Sequence, residues 1–575
     1  MRVRFAFLAT FVTCHLCWAT LSTVPLLAAE PPSIETFAAQ LAAGEFAPAL
    51  AAARAIEDSG QRDQLLAQLA AAQAHSGSHE AAYRTLAAMK SDLARSTAIS
   101  QTKSIPRSGA GGGAQADFES LIDLITTTVR PQTWDDLGGP GSISEFRNGV
   151  YVDADGLLRR KIDERSADGL AVARLAALKS GDNVDPRLYS ALRKVSLTRL
   201  ETHVQLALAA GREPNDEMRN LAGLEKIQFV LVYPETGDLV VAGPAGSWYR
   251  DNEGRQVSRH TRRPVLQLDD LVVLLRCFRE DPNAVLGCSI NPTQDGLART
   301  QQFANQSRSK PLKPNQRAEW LSHLRDCMGR QDITVDGIDP RTRVAQVLVE
   351  ADYRMKLVGM GLEEGTVDVP SYLDLVRVKN GEAPPSLDVL RWWFTLNYDA
   401  IRATPGRDAF EIRGQGVQVL SENELLTQLG KRVHTGSSTA TNQQFAGKFT
   451  QHFAELAKKY PVYADLQNVF DLSLVAALIT HQGLADRVDW HLTCFGDPDQ
   501  YQVALGPAPR SVESVINHRK VGGKHLIVGV SGGVRAQPIR YVRGEAMQGD
   551  PQGRLAAARR SWASGEIPLE AWWWD

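Results

Sequence analysis

The chain has 575 residues, of which 43% are hydrophobic and 23% charged, and its formal net charge is -2. At ~150 residues per domain that leaves room for three or four globular domains with real cores. The near-zero net charge excludes any general attraction to nucleic acid or to an anionic membrane surface.

Arg2 and Arg4 precede the apolar run FAFLATFVTCHLCWATL, and Leu27-Ala28-Ala29 precedes Glu30. A positive start, an apolar middle and a small-residue exit predict a secretory signal peptide over 1–29, with an uncleaved anchor as the rival reading. Neither Cys14 nor Cys17 follows the leucine-small-small residues of a lipoprotein signal. No later stretch reads as the ~18 apolar residues of a membrane span. An exported protein, periplasmic or extracellular and without an integral span after cleavage, is expected. Export leaves Cys277, Cys288, Cys327 and Cys494 in an oxidising compartment. Three complete pairings are open to them, Cys277 with Cys288 or Cys327 being the local choice, and four free buried thiols are equally compatible.

Residues 30–95 are alanine-rich with a helical period. LAAGEFAPAL aligns with AHSGSHEAAY, placing Gly44 on Gly77, Ala49 on Ala82 and Leu50 on Tyr83. This pattern resembles tetratricopeptide-type helical hairpins. The resemblance implies a concave surface, so another envelope protein is the expected partner of residues 33–95; a plain helical bundle is the alternative. Residues 96–117, STAISQTKSIPRSGAGGGAQAD, predict a flexible tether.

Phe118, Leu121, Ile122 and Ile125 stripe a short helix that Pro131 ends; Gly138-Gly139-Pro140-Gly141 then turns, and Gly149–Val152 reads as a strand. With Trp134-Asp135-Asp136 between them, residues 117–155 resemble a segment of secretin-like exported proteins. That resemblance implies a subunit of a secretion assembly, with no pore function carried over. A helical tract from Asp163 to Leu224 completes a segment over 118–224.

Lys226–Tyr233 and Gly237–Gly243 flank Pro234-Glu235-Thr236, a predicted hairpin. Leu268–Phe278 reads as a helix and Val285–Asn291 as a strand, within an α+β domain over 225–338. In the next domain, 339–550, apolar residues at Val344, Val347, Leu348, Ala351, Met355 and Val358 share one helix face. Asp339 is the expected cap, Pro340 suits the first turn, and Gly359 and Gly361 the stop. Glu350–Arg354 and Asp352–Lys356 are expected on the outer face, at roughly 0.2–0.5 kcal/mol each.

Leu390–Leu396 and Ala409–Leu420 alternate as strands, and Ser421 with Glu424 predicts a capping box opening a helix. Phe445, Phe449, Phe453, Leu456 and Tyr460 stripe a helix that Pro461 breaks, and Leu466–Ile479 makes the next. Strands are expected at Asp489–Phe495, Gln500–Leu505 and His525–Val534. A short helix, Gly553–Ser564, and the run Trp572-Trp573-Trp574 fill 551–575. The fold class is α+β, with antiparallel hairpins and without βαβα alternation.

The stretches VLVEADYRMKLVGMGLE, LGCSINPT, RWWFTLNYDAI, PVYADLQNVFDLSLVAALI and VGVSGGV are similar to a family of exported bacterial proteins catalogued only as a domain of unknown function. The likeness spans about residues 220–540. It implies one contiguous α+β unit and carries no activity.

Gly529-Val530-Ser531-Gly532-Gly533 fits the G-x-S-x-G of serine hydrolases. The following VRAQPIRYVRG is not helical, no histidine follows His525, and no Ala-Ala-His-Cys segment occurs. A glycine-rich turn between two strands is therefore expected, with Ser531 the catalytic candidate of a hydrolase alternative. Val152–Gly156 fails as a calcium loop, because Tyr151 and Ile162 fall where carboxylates are needed. His75 and His79 are separated by the helix-breaking Ser76-Gly77-Ser78, and His491 and Cys494 point apart in a predicted strand. With no H-E-x-x-H or phosphate-binding loop, and with C-x-x-C only at Cys14–Cys17 inside the predicted signal peptide, neither a metal nor a cofactor is expected. The acidic pairs Glu350/Asp352, Glu363/Glu364 and Asp269/Asp270 become an acid–base centre only if folding sets them apart in environment.

Trp392 and Trp393, adjacent in an extended run, must point to opposite faces. Together with Trp572, Trp573 and Trp574 they are the expected binding residues, suited to sugar stacking, a protein partner or a membrane interface. The competing expectation is a tail folded back over a sheet. The residues thus predict an exported binding or scaffold component of the bacterial cell envelope. The alternatives are an envelope-polymer hydrolase with a Ser531 or carboxylate centre, and a secretion-assembly subunit. The positions of His434, His481, His491, His518 and His525 relative to Ser531 decide between them.

Overall fold

The apolar spacing of Val344, Leu348, Ala351 and Met355 builds the helix Arg343–Gly359, and all four side chains are buried. The computed structural model places its start three residues later than the expected cap. The Thr342 side chain accepts from the backbone N–H of Ala345, while Asp339 is engaged by Arg341, whose backbone N–H it accepts at 2.8 Å and whose guanidinium it pairs at 2.6 Å. The residues described are 37–105 apart from 39 and 42, the hairpin strands 142–146 and 149–153, then 185–307, 316–377, 387–427, 431–521, 524–563 and 571–575. The signal segment 1–29, the tether from residue 106, the helix and GGPG turn before residue 142, the tract 163–184 and the calcium-like loop beyond Asp153 lie outside them.

Two sheets carry the body of this mixed α+β fold. The first runs Arg432–His434, Gly416–Leu426, Leu387–Asn397, Lys524–Ala536, Leu286–Pro292, Gln331–Asp336 and Ser511–Val512, with Ile516–Val521 paired to the first half of Lys524–Ala536. Among the described residues its one parallel pairing joins Leu387–Phe394 to Ile527–Val534. The second sheet runs Gln548–Gly549, Ala400–Ala403, Ala409–Arg413, Phe229–Tyr233, Asp238–Ala245, Ser190–Ser196 and Trp573–Trp574. Helices Leu268–Glu280, Arg343–Gly359 and Pro461–His481 pack on one another, and Arg343–Gly359 lies against the first sheet within one continuous apolar core.

Pro461–His481 corrects the expectation that no later stretch is apolar enough to span a membrane. By length and composition it is, and every residue of its apolar window is buried inside the fold. Some of its polar members bond to other elements: Tyr398 donates its hydroxyl to Asp471 at 2.7 Å, and Asn468 donates to the Pro264 carbonyl at 2.9 Å.

Several elements depart from the sequence reading for identifiable reasons. Ser421 and Glu424 do not cap a helix; they continue the strand Gly416–Leu426, because burying Glu424 beside Ser531 and Arg432 requires period-two alternation. Ser190–Ser196 is a strand where helix was expected, and it pairs on both edges. Asp489–Phe495 and Gln500–Leu505 are not strands. Positive φ at Asp489 (54°) and Leu492 (53°) breaks extension, and Arg276 pins the loop by donating to the carbonyls of Phe495, Asp497 and Tyr501. Gly529–Gly533 is not a turn but the middle of the strand Lys524–Ala536.

The amino-terminal helices Phe46–Arg54, Ser59–His75, His79–Ala87 and Asp92–Ser104 share a core of small and aliphatic residues that continues onto the helix Leu197–Ala209. Tyr83 donates to the Ala209 carbonyl at 2.9 Å across that joint. The last helix runs into residues whose composition predicted a tether, since Ala98, Ile99 and Thr102 are buried by packing. All four described cysteines are free. Burial pushes Cys277 up to about 11 and Cys288 and Cys494 higher still, so these thiols are poor nucleophiles.

Candidate functional site

Strand alternation divides Leu387–Asn397 into two faces. Trp392 and Phe394 turn inward. Trp392 has no exposed surface, its ring centroid lies 4.3 Å from that of Phe445, and its Nε1 donates to Asn442 Oδ1 at 2.6 Å. Expected among the binding residues, Trp392 is placed in the core. Arg391 and Trp393 turn to the opposite face, where Arg391 stands across from Ser531 and Glu422, and Trp393 across from Gly533 and Leu420. Glu424 faces His434 on the edge strand, and Gly533 faces Ser289.

Helices Gln294–Ser307 and Arg317–Met328 cover this face around Ile527 through Leu297, Ala304, Trp320 and Leu324. Farther along the strands the face is open. There a cavity of about 110 Å³ is lined by Ser289, Asn291, Arg391, Trp393, Arg432, His434 and Arg535, above Gly532 and Gly533. Of the histidines weighed against Ser531, His434 alone lines it; the His525 side chain lies outside the described residues.

Beside this groove Ser531 is fully buried, its Oγ 2.9 Å from Glu424 Oε2 and 3.3 Å from the Leu390 carbonyl, either of which can accept its one proton. Arg432 holds Glu424 Oε2 at 3.1 Å. His434 Nδ1 lies 3.4 Å from the other oxygen of Glu424 and 3.3 Å from Glu422 Oε2. Burial opposes ionisation of Glu422, but the Gly436 N–H at 2.8 Å, His434 and Arg391 outweigh it and hold its carboxyl below the ordinary value. Arg391 stacks over the Trp393 ring at 4.9 Å.

A serine hydrolase needs an accessible hydroxyl hydrogen-bonded to an imidazole, with the carboxylate behind the imidazole. Here the carboxylate stands between serine and imidazole, and the serine is sealed. The arrangement can hold charge; it does not activate Ser531.

The acidic pairs are also tied up. A cleft of about 800 Å³ borders the helix Arg343–Gly359. In and beneath its wall Arg343 bridges Asp270 and Asp465, and Arg255 bridges Asp465 at 3.0 Å and Glu350 at 2.5 Å. Tyr501 donates to Asp269 at 2.7 Å. Burial raises Asp270 to about 6, against the pull of Arg343. Glu363 pairs with Arg354 and Glu364 with Lys459, each at 3.6 Å. At the surface, Asp368, His452 and Glu455 bring three possible ligand atoms within 4.8 Å of one another, a grouping the sequence spacing did not suggest.

The tryptophan tail closes the second sheet. Trp573 pairs with Val195 and Trp574 with Lys194; Trp572 is buried and the other two are half-buried. Asp575 holds the wholly buried Arg193 through two bonds of 2.8 and 2.9 Å, and Arg193 lies 4.5 Å over the Trp573 ring. None of the three tryptophans lines the groove. Sequence reasoning singled out Ser531 and Trp393 there and missed Arg391, Glu422, Glu424, Arg432 and Arg535. The readable signal was Arg391 two residues before Trp393 in a strand.

The strand carrying Ser289 and Asn291 opens a stretch with a recognisable signature. Residues 288–372 match the family described as a protein of unknown function, DUF1598. This stretch is a DUF1598 domain. No curated protein matches the chain, and no solved structure does. The DUF1598 domain supplies one wall of the groove, where Ser289 and Thr334 share a 2.6 Å hydrogen bond and Asn291 donates to Ser289 at 3.0 Å. It also supplies both covering helices and, behind the sheet, Arg343–Gly359, whose Lys356 donates to the Ile290 carbonyl at 3.1 Å.

Proposed function

We propose that the chain is an exported binding or scaffold component of the bacterial cell envelope, which holds a ligand on the open face of its first sheet without processing it. One observation carries the second half of this reading: Glu424 separates Ser531 from His434, and Ser531 has no accessible surface. What remains on that face is charge and a half-buried tryptophan, the equipment of recognition. Export rests on the Arg2/Arg4, apolar and Leu27-Ala28-Ala29 pattern. The helices Ser59–His75 and Asp92–Ser104 border a groove of about 550 Å³ beside the exposed Leu93, which supports contact of residues 33–95 with another envelope protein.

Export is tested by fractionating cells that produce the full chain with a carboxy-terminal tag and sequencing the mature amino terminus. An intact, unprocessed chain retained in the cytoplasm overturns it. Binding without hydrolysis is tested with a serine-directed fluorophosphonate and a panel of ester and amide substrates. Ser531 is expected to stay unlabelled, and Ser531→Ala to change no turnover; activity abolished by that substitution overturns the reading.

A further inference from the structure

We infer that the groove is an oxyanion-binding site, seating one carboxylate, phosphate or sulfate group of a larger ligand between Arg391, Arg432 and Arg535. The inference rests on the binding reading above and names the ligand chemistry it implies.

Charge gives the sign. Three guanidiniums and no carboxylate line the cavity itself; Glu422 and Glu424 adjoin it, and Asp332 and Asp336 stand one strand farther out, across from Asn291 and Gly287. Arg432 is closely paired to Glu424, whereas Arg391 meets Glu422 only at 3.5 Å. Arg535 is exposed and has no ion-pair partner among the described residues. A guanidinium presents a planar fork of donors that matches the two oxygens of a carboxylate or phosphate.

Size gives the class. A volume of about 110 Å³ is well below the ~300 Å³ at which pockets enclose whole small molecules. The groove therefore grips a single group and leaves the rest of the ligand outside. Gly533 leaves its floor free of a side chain, and Ser289 and Asn291 add neutral polar atoms on the DUF1598 side. Trp393, stacked under Arg391, stiffens that guanidinium and forms the apolar wall.

The test is isothermal titration of the purified full chain with inorganic phosphate, sulfate and acetate, at constant ionic strength set with chloride. Saturable binding of at least one of them is expected. Preference for phosphate and sulfate assigns a tetrahedral group, and preference for acetate a carboxylate. Arg535→Ala is expected to weaken that binding by about tenfold or more, Arg535→Lys to restore part of it, and Arg540→Ala, an exposed arginine outside the groove, to leave it unchanged. The unliganded melting temperature of Arg535→Ala should match that of the parent, since the side chain is exposed. No saturable binding up to about 10 mM, an affinity worth under ~2.7 kcal/mol, overturns the inference. So does binding indifferent to Arg535. Retention of the chain on isolated envelope material is measured in parallel. If Arg535→Ala abolishes retention while no oxyanion binds, the ligand class is wrong and the groove reading survives. If Arg391→Ala and Arg535→Ala both leave retention intact and no oxyanion binds, both readings fall.

Discussion

Lys356 Nζ lies 2.6 Å from Asp352 Oδ2, and neither side chain has any exposed surface. Four residues apart on the helix Arg343–Gly359, they have the spacing of a solvent-facing pair worth a few tenths of a kcal/mol. Buried, they make a different object. Burial lowers the Lys356 pKa and raises that of Asp352, and in each case the partner's charge opposes the shift. Lys356 also ties the helix to the Ile290 carbonyl, just behind the groove.

Removing one partner should therefore be far worse than removing both. Lys356→Met leaves an uncompensated buried carboxylate and is expected to cost about 3–5 kcal/mol, while Asp352→Leu with Lys356→Met recovers most of it. Urea denaturation of the two variants checks this; equal losses would show that the two charges do not act as a unit.

Gly532 adopts φ +140°, and a Cβ built there would sit 1.6 Å from the Trp392 carbonyl oxygen. Gly532→Ala is expected to lose more than about 3 kcal/mol by prising apart the parallel strands, or to fail to fold. Gly447 lies inside the helix Ala440–Gln451 with nothing within 4 Å of a Cβ, so Gly447→Ala should gain about 0.5–1 kcal/mol. Melting curves of the pair should move in opposite directions.

Glu201 sits where the amino-terminal helices meet the body. It accepts from the backbone N–H groups of Cys494 at 2.9 Å and Phe495 at 2.5 Å and from the Trp490 indole, while Asp92 accepts from His491 and Thr493 nearby. Burial, then the neighbouring Asp92, raises its pKa to about 7. The unfolded chain releases this proton near 4.5, so between 4.5 and 7 the folded state binds more protons. Stability from this group is thus full below 4.5 and falls as pH rises to 7, by roughly 1–3 kcal/mol. Glu201→Gln should flatten that slope; chemical denaturation at pH 4.5 and 7.5 reads the difference, and an unchanged slope would assign it elsewhere.

Asp575 is the main counter-charge of Arg193, which has no exposed surface. Asp575→Ala is expected to cost about 2 kcal/mol and to loosen the last strand, with faster amide exchange at Val195 and Lys194. Unaltered exchange there would mean the tail is held by its tryptophans alone.

Leu268–Glu280, with one apolar face, and Pro461–His481, apolar all round and opened by a proline, were legible because their spacing and punctuation are local. So was the hairpin Phe229–Ala245, whose turn is written in adjacent residues. Ser421–Leu426 was not. Its short-range signals favour a helix start, and only the distant Ser531 and Arg432 reward Glu424 for lying in a strand. The groove shows the same division. A local motif drew attention to Ser531 and alternation separated Trp393 from Trp392, but Glu424 reaches Ser531 from 107 residues away.

From the residues alone came the α+β class, the order of most helices and hairpins, and the two faces of the strand holding Trp392 and Trp393. Those properties depend on periodicity and neighbours within a turn or two of chain. Which charges are buried, whether Ser531 is open, and which arginines gather above Gly532 were settled only by strand pairing and layer packing. Those bring together side chains that share no local signal, and the desolvation they impose turns an ordinary Asp352–Lys356 spacing into a buried ion pair.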